Sequence, residues 1–569
     1  MSSTGAKTAA AVCFITLPIL LVTVTFILHQ NSNFGVPEGF DRAKFMAENG
    51  QNVTTAERVL GGTHDNITTT SCAGSREDPS SASVKSFKND SSPANTTGSI
   101  LINRPPDGLV DPKFVEKSCI SRSQSYLYRK ESPHKPSQYL LNKLRGYEDL
   151  HARCGPLTKS YGRTMRRLIK SKHHISGTRI CKYLVWTAAN GLGNRMISLA
   201  AAFLYAVLTE RVLLVEFGNE MIGLFCEPFP KSSWHLPEDF PYKNRFDHLQ
   251  TYETLLMNTI NISMEQFSVP SFLHLYLEHG GHKENFFHCD DSQSLLQKVN
   301  VLILRSDQYN IPSLFMISSF KKELENMFPE KDTVFHHLGS YLFHPSNEAW
   351  GLISRFYDAY LANSDEKIGL QIRVFNPKNT PSQTIMDQVL ACTLKNKLLP
   401  QVDLLKSVSS QLQNKTSKAV LVASLYPDYT EKLRTMYWRR PTVTGEIVGV
   451  YQPSSEGKQR FNDNSHNMKA WAEMYLLSLC DVLVTSGEST FGYVAQSIGG
   501  LKPWIMGKTL GTEFREPPCA RAVSMEPCFH FPPKFDCKRK TKVDHVSSVF
   551  PNMKPCVDFY SGVKMVDDP

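Results

Sequence analysis

Apolar and polar positions between residues 181 and 216 fall into three blocks. Tyr183 to Thr187 is a short apolar run ending in a turn signal. Arg195 to Leu208 is apolar almost all round, with no Gly or Pro, and Val212 to Val215 is a second branched run. Continuous apolar strands belong in sheets covered on both faces, and a strand–helix–strand passage within one sheet is right-handed, which makes the strands parallel. The pattern predicts strand, glycine loop, buried helix, strand. The carboxyl half repeats it: Lys367 to Phe375, Ala419 to Ser424, Thr442 to Tyr451 and Val482 to Ser486 read as strands, with helical patterns at Tyr429 to Tyr437 and His466 to Leu479 between them. The expected class is α/β, with two parallel sheets enclosing a cleft beyond the carboxyl ends of their strands.

Candidate chemistry lies at those strand ends. After the first strand, Gly191 and Gly193 free the turn of Cβ atoms, and the following helix offers unpaired N–H groups and a positive dipole end to an anion. Three meanings compete for this loop. It is a partial dinucleotide fingerprint with Met196 where the third glycine belongs and Glu216 as the ribose acid; or a plain connecting turn; or a phosphate site that uses Asn194 and Arg195. In the carboxyl half, Arg373, Ser424 to Asp428, Tyr451 to Glu456 and Ser486 to Tyr493 end strands in the same way. Ser489 or Thr490 is placed to cap a helix through Ala495. For Arg373 the competing explanation is a buried salt bridge, and for Tyr451 to Glu456 an ordinary proline turn.

The amino terminus adds a membrane expectation. Residues 1–8 form a short tail and 9–28 (Ala9 to Leu28) an uncharged stretch long enough to span a hydrocarbon core. The flank His29 to Phe34 lacks a small-residue cleavage site, which favours a signal anchor. Residues 29–110 are rich in Ser, Thr, Asn, Asp and Pro and read as a solvated stem. Six sequons, at Asn52, Asn66, Asn89, Asn95, Asn261 and Asn414, all follow the span and put the rest of the chain in the lumen. Twelve of the 13 cysteines also follow it. No Cys-x-x-Cys occurs, so disulfides are expected rather than zinc, with Cys519, Cys528, Cys537 and Cys556 able to staple the carboxyl end.

A net charge of +9 over 569 residues is modest, and the basic run Arg163 to His174 has helical spacing; it reads as a solvated face, with no nucleic-acid partner. Gly507-Lys-Thr lacks the first glycine of a phosphate loop, since Lys502 stands there. The chain contains no D-x-D, H-E-x-x-H or G-x-S-x-G, which weakens metal-held diphosphate chemistry and serine hydrolysis.

Gly191 to Arg195, Ile368 to Arg373, Tyr451 to Glu456, Ala472 to Cys480, Ser489 to Ala495 and Gly500 to Ile505, with Arg153 to Pro156 and Phe287 to Asp290, together resemble the plant xyloglucan fucosyltransferase family from about residue 115 onward. The resemblance implies a GT-B-like enzyme with two Rossmann-like domains, residues 111–360 on the acceptor side and 361–569 on the donor side, the latter with a Cys-rich extension packing back. It implies transfer of L-fucose from GDP-β-L-fucose to O-2 of a terminal galactose, with inversion and without a metal. Xyloglucan is the first acceptor expected; arabinogalactan-protein glycans, or a catalytically silent Golgi scaffold, are the alternatives. Arg373 then matches the arginine that binds the donor diphosphate. Gly193, Asn194 and Arg195 match the glycine-rich loop, and Gln452, Ser454, Glu456, Ser489, Thr490, Phe491 and Tyr493 match the nucleotide-side loops. Two positions depart from the pattern: Tyr451 stands where His is usual and Glu488 where an aromatic is. For the proton of the acceptor hydroxyl the candidates are Asp290 and Asp291, with helix capping as the competing role of either. Partners are the donor, a galactose-terminated glycan and the membrane, with a homodimer or a Golgi glycosyltransferase complex as further options.

The expected topology is single-pass type II in the Golgi membrane. Protease added to sealed microsomes should remove only a few residues and glycosidase should raise gel mobility; digestion of the bulk of the chain without detergent would contradict this orientation.

Overall fold

The computed structural model describes residues 107–111, 118–171, 173–175, 177, 180–259, 269–278, 286–405, 416–509 and 511–567. The expected span at 9–28 and all six sequon asparagines lie outside the described residues. The first sheet contains β1 (Lys182–Thr187), β2 (Arg211–Glu216), β3 (Phe272–Leu277) and β4 (Val301–Ser306) in the order β2-β1-β4-β3. All pairings are parallel, and Tyr183 lies in register with both Val212 and Val301. The second sheet contains β5 (Glu366–Ile372), β6 (Ser417–Ser424), β7 (Ile447–Tyr451), β8 (Val482–Ser486), β9 (Trp504–Met506) and β10 (Ala520–Arg521) in the order β10-β9-β8-β5-β6-β7, parallel except for β10.

Strand parity decides what each sheet faces. In the first sheet Leu184, Trp186, Leu213, Val215, Leu302 and Leu304 enter one large core, while Tyr183, Val185, Val212, Leu214, Val301 and Ile303 enter another on the opposite face. The large core continues across the molecule to Ala419, Leu421, Ala423 and Leu483 of the second sheet, whose opposite face (Ile368, Leu370, Val420, Val422, Val484) packs in a third. One shared apolar layer therefore joins the two sheets. At its centre runs the helix Leu192–Leu208, of whose 17 residues 14 are buried. It packs against β1, β2 and β4 and against the helices Val334–Leu342 and Thr490–Gly499. No side chain caps its start; burial holds it, at about 1.5–3 kcal/mol for each large side chain such as Phe203 or Leu199.

Three details differ from the sequence expectation. The helix begins at Leu192, so Gly193 and Asn194 stand in its first turn, and Asn190 rather than a glycine takes the left-handed conformation (φ +61°). Asparagine tolerates that region well. Gly193 serves close approach instead: a Cβ there would lie 2.6 Å from the Thr490 hydroxyl oxygen and 2.9 Å from the Phe491 nitrogen. The strand expected from Thr442 starts only at Ile447, because Thr442 to Gly445 forms a turn with Gly445 at φ +82°.

Five disulfides occur among the described residues. Of the four carboxyl-terminal cysteines only Cys528 and Cys556 pair with each other; Cys519 reaches Cys392 and Cys537 reaches Cys289. Cys119–Cys226 and Cys154–Cys181 lie in the amino half, and Cys480 is a buried free thiol. The Cys289–Cys537 bond spans 248 residues and ties the carboxyl-terminal extension to the first half; in the chain-entropy picture such a closure is worth on the order of 5 kcal/mol.

Gly193→Ala should push the starts of the Leu192–Leu208 and Thr490–Gly499 helices apart, costing about 1–3 kcal/mol. Thermal unfolding checks this; an unchanged midpoint would show that the contact yields without cost.

Candidate functional site

Each sheet has one point where the chain leaves in opposite directions. In the first, β1 is followed by β2 on one side and β4 lies on the other; in the second, β5 is flanked by β6 and β8. Open sheets bind ligands beyond the carboxyl ends of such strands. The loops after β1, β5, β6, β7 and β8 line a single cleft of about 360 Å³, which includes Asn190 to Arg195, Gln371 to Phe375, Ser424 to Tyr426, Ser454, Glu456, Glu473 and Glu488 to Phe491.

Arg373 follows β5 directly. Its backbone N–H donates to the Ser486 hydroxyl (2.9 Å), and Ser486 N–H donates to the Gln371 side chain (3.2 Å), so the ends of β5 and β8 are locked together. The guanidinium points into the cleft, donates to the Gln459 amide oxygen (3.1 Å) and lies 5.4 Å from the Phe375 ring centroid. Among the described residues no carboxylate lies within ion-pair distance of it. Desolvation by the cleft walls lowers its pKa from the ordinary arginine value. On its other side a smaller cavity of about 250 Å³ opens between Phe375 and Lys508.

Across from Arg373 stands the start of the Thr490–Gly499 helix. Ser489 is its N-cap residue, but the serine oxygen caps nothing and, though buried, has no hydrogen-bond partner among the described residues. The Thr490 hydroxyl donates to the Asn194 oxygen (2.7 Å), and the Asn194 amide donates to the Asp307 carbonyl (3.3 Å). Asn194 is therefore a tie between the two halves. Arg195 forms an ion pair with Glu220 and donates to the Asn190 carbonyl (2.8 Å), so its charge is already matched. Glu456 pairs with Lys469 and Arg460.

The structure corrects four expected site residues. Asp290 starts the helix Asp290–Leu296 and accepts the backbone N–H groups of Ser318 and Ser319 at 3.2 and 2.9 Å, capping a neighbouring turn. Neither it nor Asp291 lines the cleft. Gln452 lies behind the wall, donating to the carbonyls of Ser424 and Ser454 (2.8 Å each). Tyr493, one turn into its helix, faces the core, where it donates to Asp558 and bonds with His530.

Other residues escaped the sequence reading. Gln459 and Glu220 line the cleft from a loop and a short helical segment that carry no motif, and Glu473 lines it from the Ala472 to Cys480 stretch, in which no site residue was expected. Asp307 directly follows β4 and accepts amide hydrogens from Asn190 (2.5 Å) and Gln308 (2.9 Å), which holds a second amino-half carboxylate, besides Glu220, beside the loop after β1. The apolar run Val301 to Leu304 followed by Arg-Ser-Asp-Gln was the available signal.

Burial raises the Glu473 pKa to about 8, and the carboxyl accepts the Ser454 hydroxyl at 2.5 Å. At neutral pH Glu473 is thus largely uncharged, while Arg373 has no anionic partner among the described residues and a helix N-terminus faces it. An orphaned hydroxyl, a free guanidinium and a helix dipole converge on a place suited to a phosphate group.

Two α/β sheets whose switch points share a cleft built for a phosphorylated ligand define a nucleotide-sugar-dependent class of enzyme. The xyloglucan fucosyltransferase profile matches residues 76–538. The chain belongs to that family. It is 52% identical over 464 residues to a galactoside 2-alpha-L-fucosyltransferase of Arabidopsis thaliana, covering 81% of this chain and 82% of the relative. It is 51% identical to a galactoside 2-alpha-L-fucosyltransferase of Pisum sativum over the same shares. A solved mutant of Arabidopsis thaliana FUT1 in complex with GDP superposes with a TM-score of 0.75 at 51% identity, covering 81% of this chain and 99% of the solved one.

The buried titratable groups set a pH profile. Burial lowers the pKa of His151 and His336 to about 4 and of His337 and His344 to about 3, so these neutral imidazoles cost stability as pH falls below about 6.5. Burial raises Glu473 and Glu526 to about 8, so their contribution is present near pH 4.5 and lost as pH rises toward 8. Below pH 6.5 these histidines, joined by His274, His288 and His466, whose pKa values burial also lowers, outnumber Glu473, Glu526 and Glu148 (raised to about 6); above it Glu473 and Glu526 set the slope. Stability should peak near pH 6.5 and decline on the alkaline side by up to about 1.4 kcal/mol per pH unit per proton. Thermal midpoints from pH 5 to 9 check this, and Glu473→Gln should flatten the alkaline limb; an alkaline limb as steep as wild type would contradict a protonated Glu473.

Proposed function

We propose that the chain transfers L-fucose from GDP-β-L-fucose to O-2 of a terminal galactose, forming an α-1,2 linkage with inversion, and that the galactose belongs to a cell-wall glycan, xyloglucan side chains first. The observation that carries this is Arg373: an arginine that has no anionic partner among the described residues, at the switch point of the second sheet, opposite a helix start whose Ser489 hydroxyl is likewise unsatisfied among them. The names of relatives above 50% identity supply the sugar and the linkage.

As the fucose–phosphate bond breaks, charge grows on the leaving diphosphate while the acceptor hydroxyl gives up its proton. Arg373 can donate two parallel hydrogen bonds to phosphate oxygens, and the Ser489 hydroxyl with the first N–H groups of the Thr490–Gly499 helix adds donors from the other side. A loose transition state with its charge on the diphosphate asks little of a base. The guanidinium and helix start replace the role a divalent cation would otherwise have. The reading also places the catalytic part in the Golgi lumen behind a single membrane anchor at 9–28, supported by the uncharged span and the sequons beyond it.

Arg373→Lys keeps the charge and loses the planar fork, so it should not rescue activity. Both Arg373→Lys and Arg373→Ala should lower kcat about 10²- to 10³-fold, roughly 3 to 4 kcal/mol, with little change in thermal midpoint. A folded variant that keeps more than about a tenth of wild-type turnover counts against the assignment. In the same assay EDTA should leave wild-type turnover unchanged; loss restored by Mn²⁺ would sink the metal-free mechanism.

A further inference from the structure

Behind the wall of the cleft, the carboxyl-terminal extension reaches the loop that leads into the Thr490–Gly499 helix. Met553–Pro555 and Val563–Met565 form an antiparallel hairpin, and the Cys528–Cys556 disulfide anchors the start of its connecting turn. Asp558 lies in the connecting turn. One of its carboxylate oxygens accepts the backbone N–H of Glu488 at 2.8 Å and also the hydroxyl of Tyr493. Glu488 holds φ +56°, a left-handed conformation that a glutamate adopts only when something fixes it. Gly487 next to it bonds to the Met506 carbonyl (2.8 Å), and a Cβ at Gly487 would lie 2.8 Å from the Cβ of Asp558. The turn is thus clamped between β9 and Asp558, and two residues later Ser489 and Thr490 face the cleft. On the far side of Asp558 the fully buried Lys564 ammonium lies 5.6 Å from the Tyr493 ring centroid and offsets the carboxylate charge.

We propose that Asp558 is a positioning residue for donor binding: by accepting the Glu488 N–H it fixes the left-handed turn that aims the Ser489–Thr490 helix start at the diphosphate. This rests on the reading of the cleft as the donor site. It gives the extension a function beyond stability, since a residue about 70 positions away in sequence shapes the anion-binding end of the helix. A carboxylate is suited to the task because its charge strengthens a hydrogen bond to an otherwise strained peptide.

The test measures GDP affinity by calorimetry and donor and acceptor KM separately, with thermal midpoints, for Asp558→Ala, Asp558→Asn and Tyr493→Phe. Asp558→Ala should weaken GDP binding and raise donor KM about tenfold, the scale of one lost charge-assisted hydrogen bond, with acceptor KM within about twofold of wild type. Asp558→Asn keeps an oxygen for the Glu488 N–H and should recover most of the loss. Tyr493→Phe removes the second donor to that oxygen, together with the bond to His530, but keeps the Glu488 contact and should leave donor KM near wild type. A folded Asp558→Ala with unchanged GDP affinity, or with equal rises in donor and acceptor KM, overturns the proposal. Should Asp558→Ala not fold, Gly487→Ala presses on the same contact from the other side, and an unchanged donor KM there overturns it equally. If the wild-type protein binds GDP but transfers no fucose, the functional reading fails, while the GDP affinities still decide the role of Asp558.

Discussion

The near approach of two helix starts, one from each half, is the constraint on which this structure depends. Gly193 allows the Leu192–Leu208 helix to touch Thr490 and Phe491, and the Thr490 hydroxyl then binds Asn194, which in turn reaches the end of β4. The shared apolar layer beneath, from Trp186 through Phe203 to Leu483 and Val494, makes this approach a consequence of burial and not of a single bond. Because the helices meet at their amino ends, the cleft inherits two positive dipole ends and the ends of five strands. Separate packing of the two sheets would leave Ser489 and Arg373 as surface groups.

Charge matching within the cleft then selects what it can hold. Arg195 is matched by Glu220 and Glu456 by Lys469 and Arg460, while burial keeps Glu473 protonated through neutral pH. Arg373 is left with an amide oxygen and the Phe375 ring as neighbours. A cleft with most of its ions paired internally and one guanidinium unmatched favours a ligand that brings negative charge to that one place. The same arrangement explains why the glycine-loop arginine, attractive from its position at a helix mouth, is a support for the loop: Glu220 had no motif to announce it.

Much of the fold was legible because its strands are buried on both faces. The run Val482 to Ser486 matches β8 residue for residue, and the Ile368 to Arg373 stretch placed the arginine at a strand end, as found. Legibility failed where side-chain direction or long-range pairing decides. Tyr493 lies in the same short motif as Ser489, yet Ser489 is the extended cap residue before the helix while Tyr493, inside it, enters the Cys528–Cys556 cluster. Asp290 and Asp291 are the sequence candidates for the acceptor's proton, with capping as the competing role; the disulfide at Cys289 holds that segment against the carboxyl-terminal extension, and Asp290 satisfies the amides of Ser318 and Ser319. Asp307 and Asp558 act through contacts 65 or more residues away in sequence, which no local pattern encodes.

The most direct test of the central claim, that a diphosphate is held between Arg373 and the Ser489 helix start, is a crystal structure of this protein with GDP. The account predicts β-phosphate oxygens within hydrogen-bond distance of both the Arg373 guanidinium and the Ser489 hydroxyl, with the Arg195–Glu220 pair intact. Phosphates seated on Arg195 with Glu220 displaced, or away from Arg373 altogether, would contradict it.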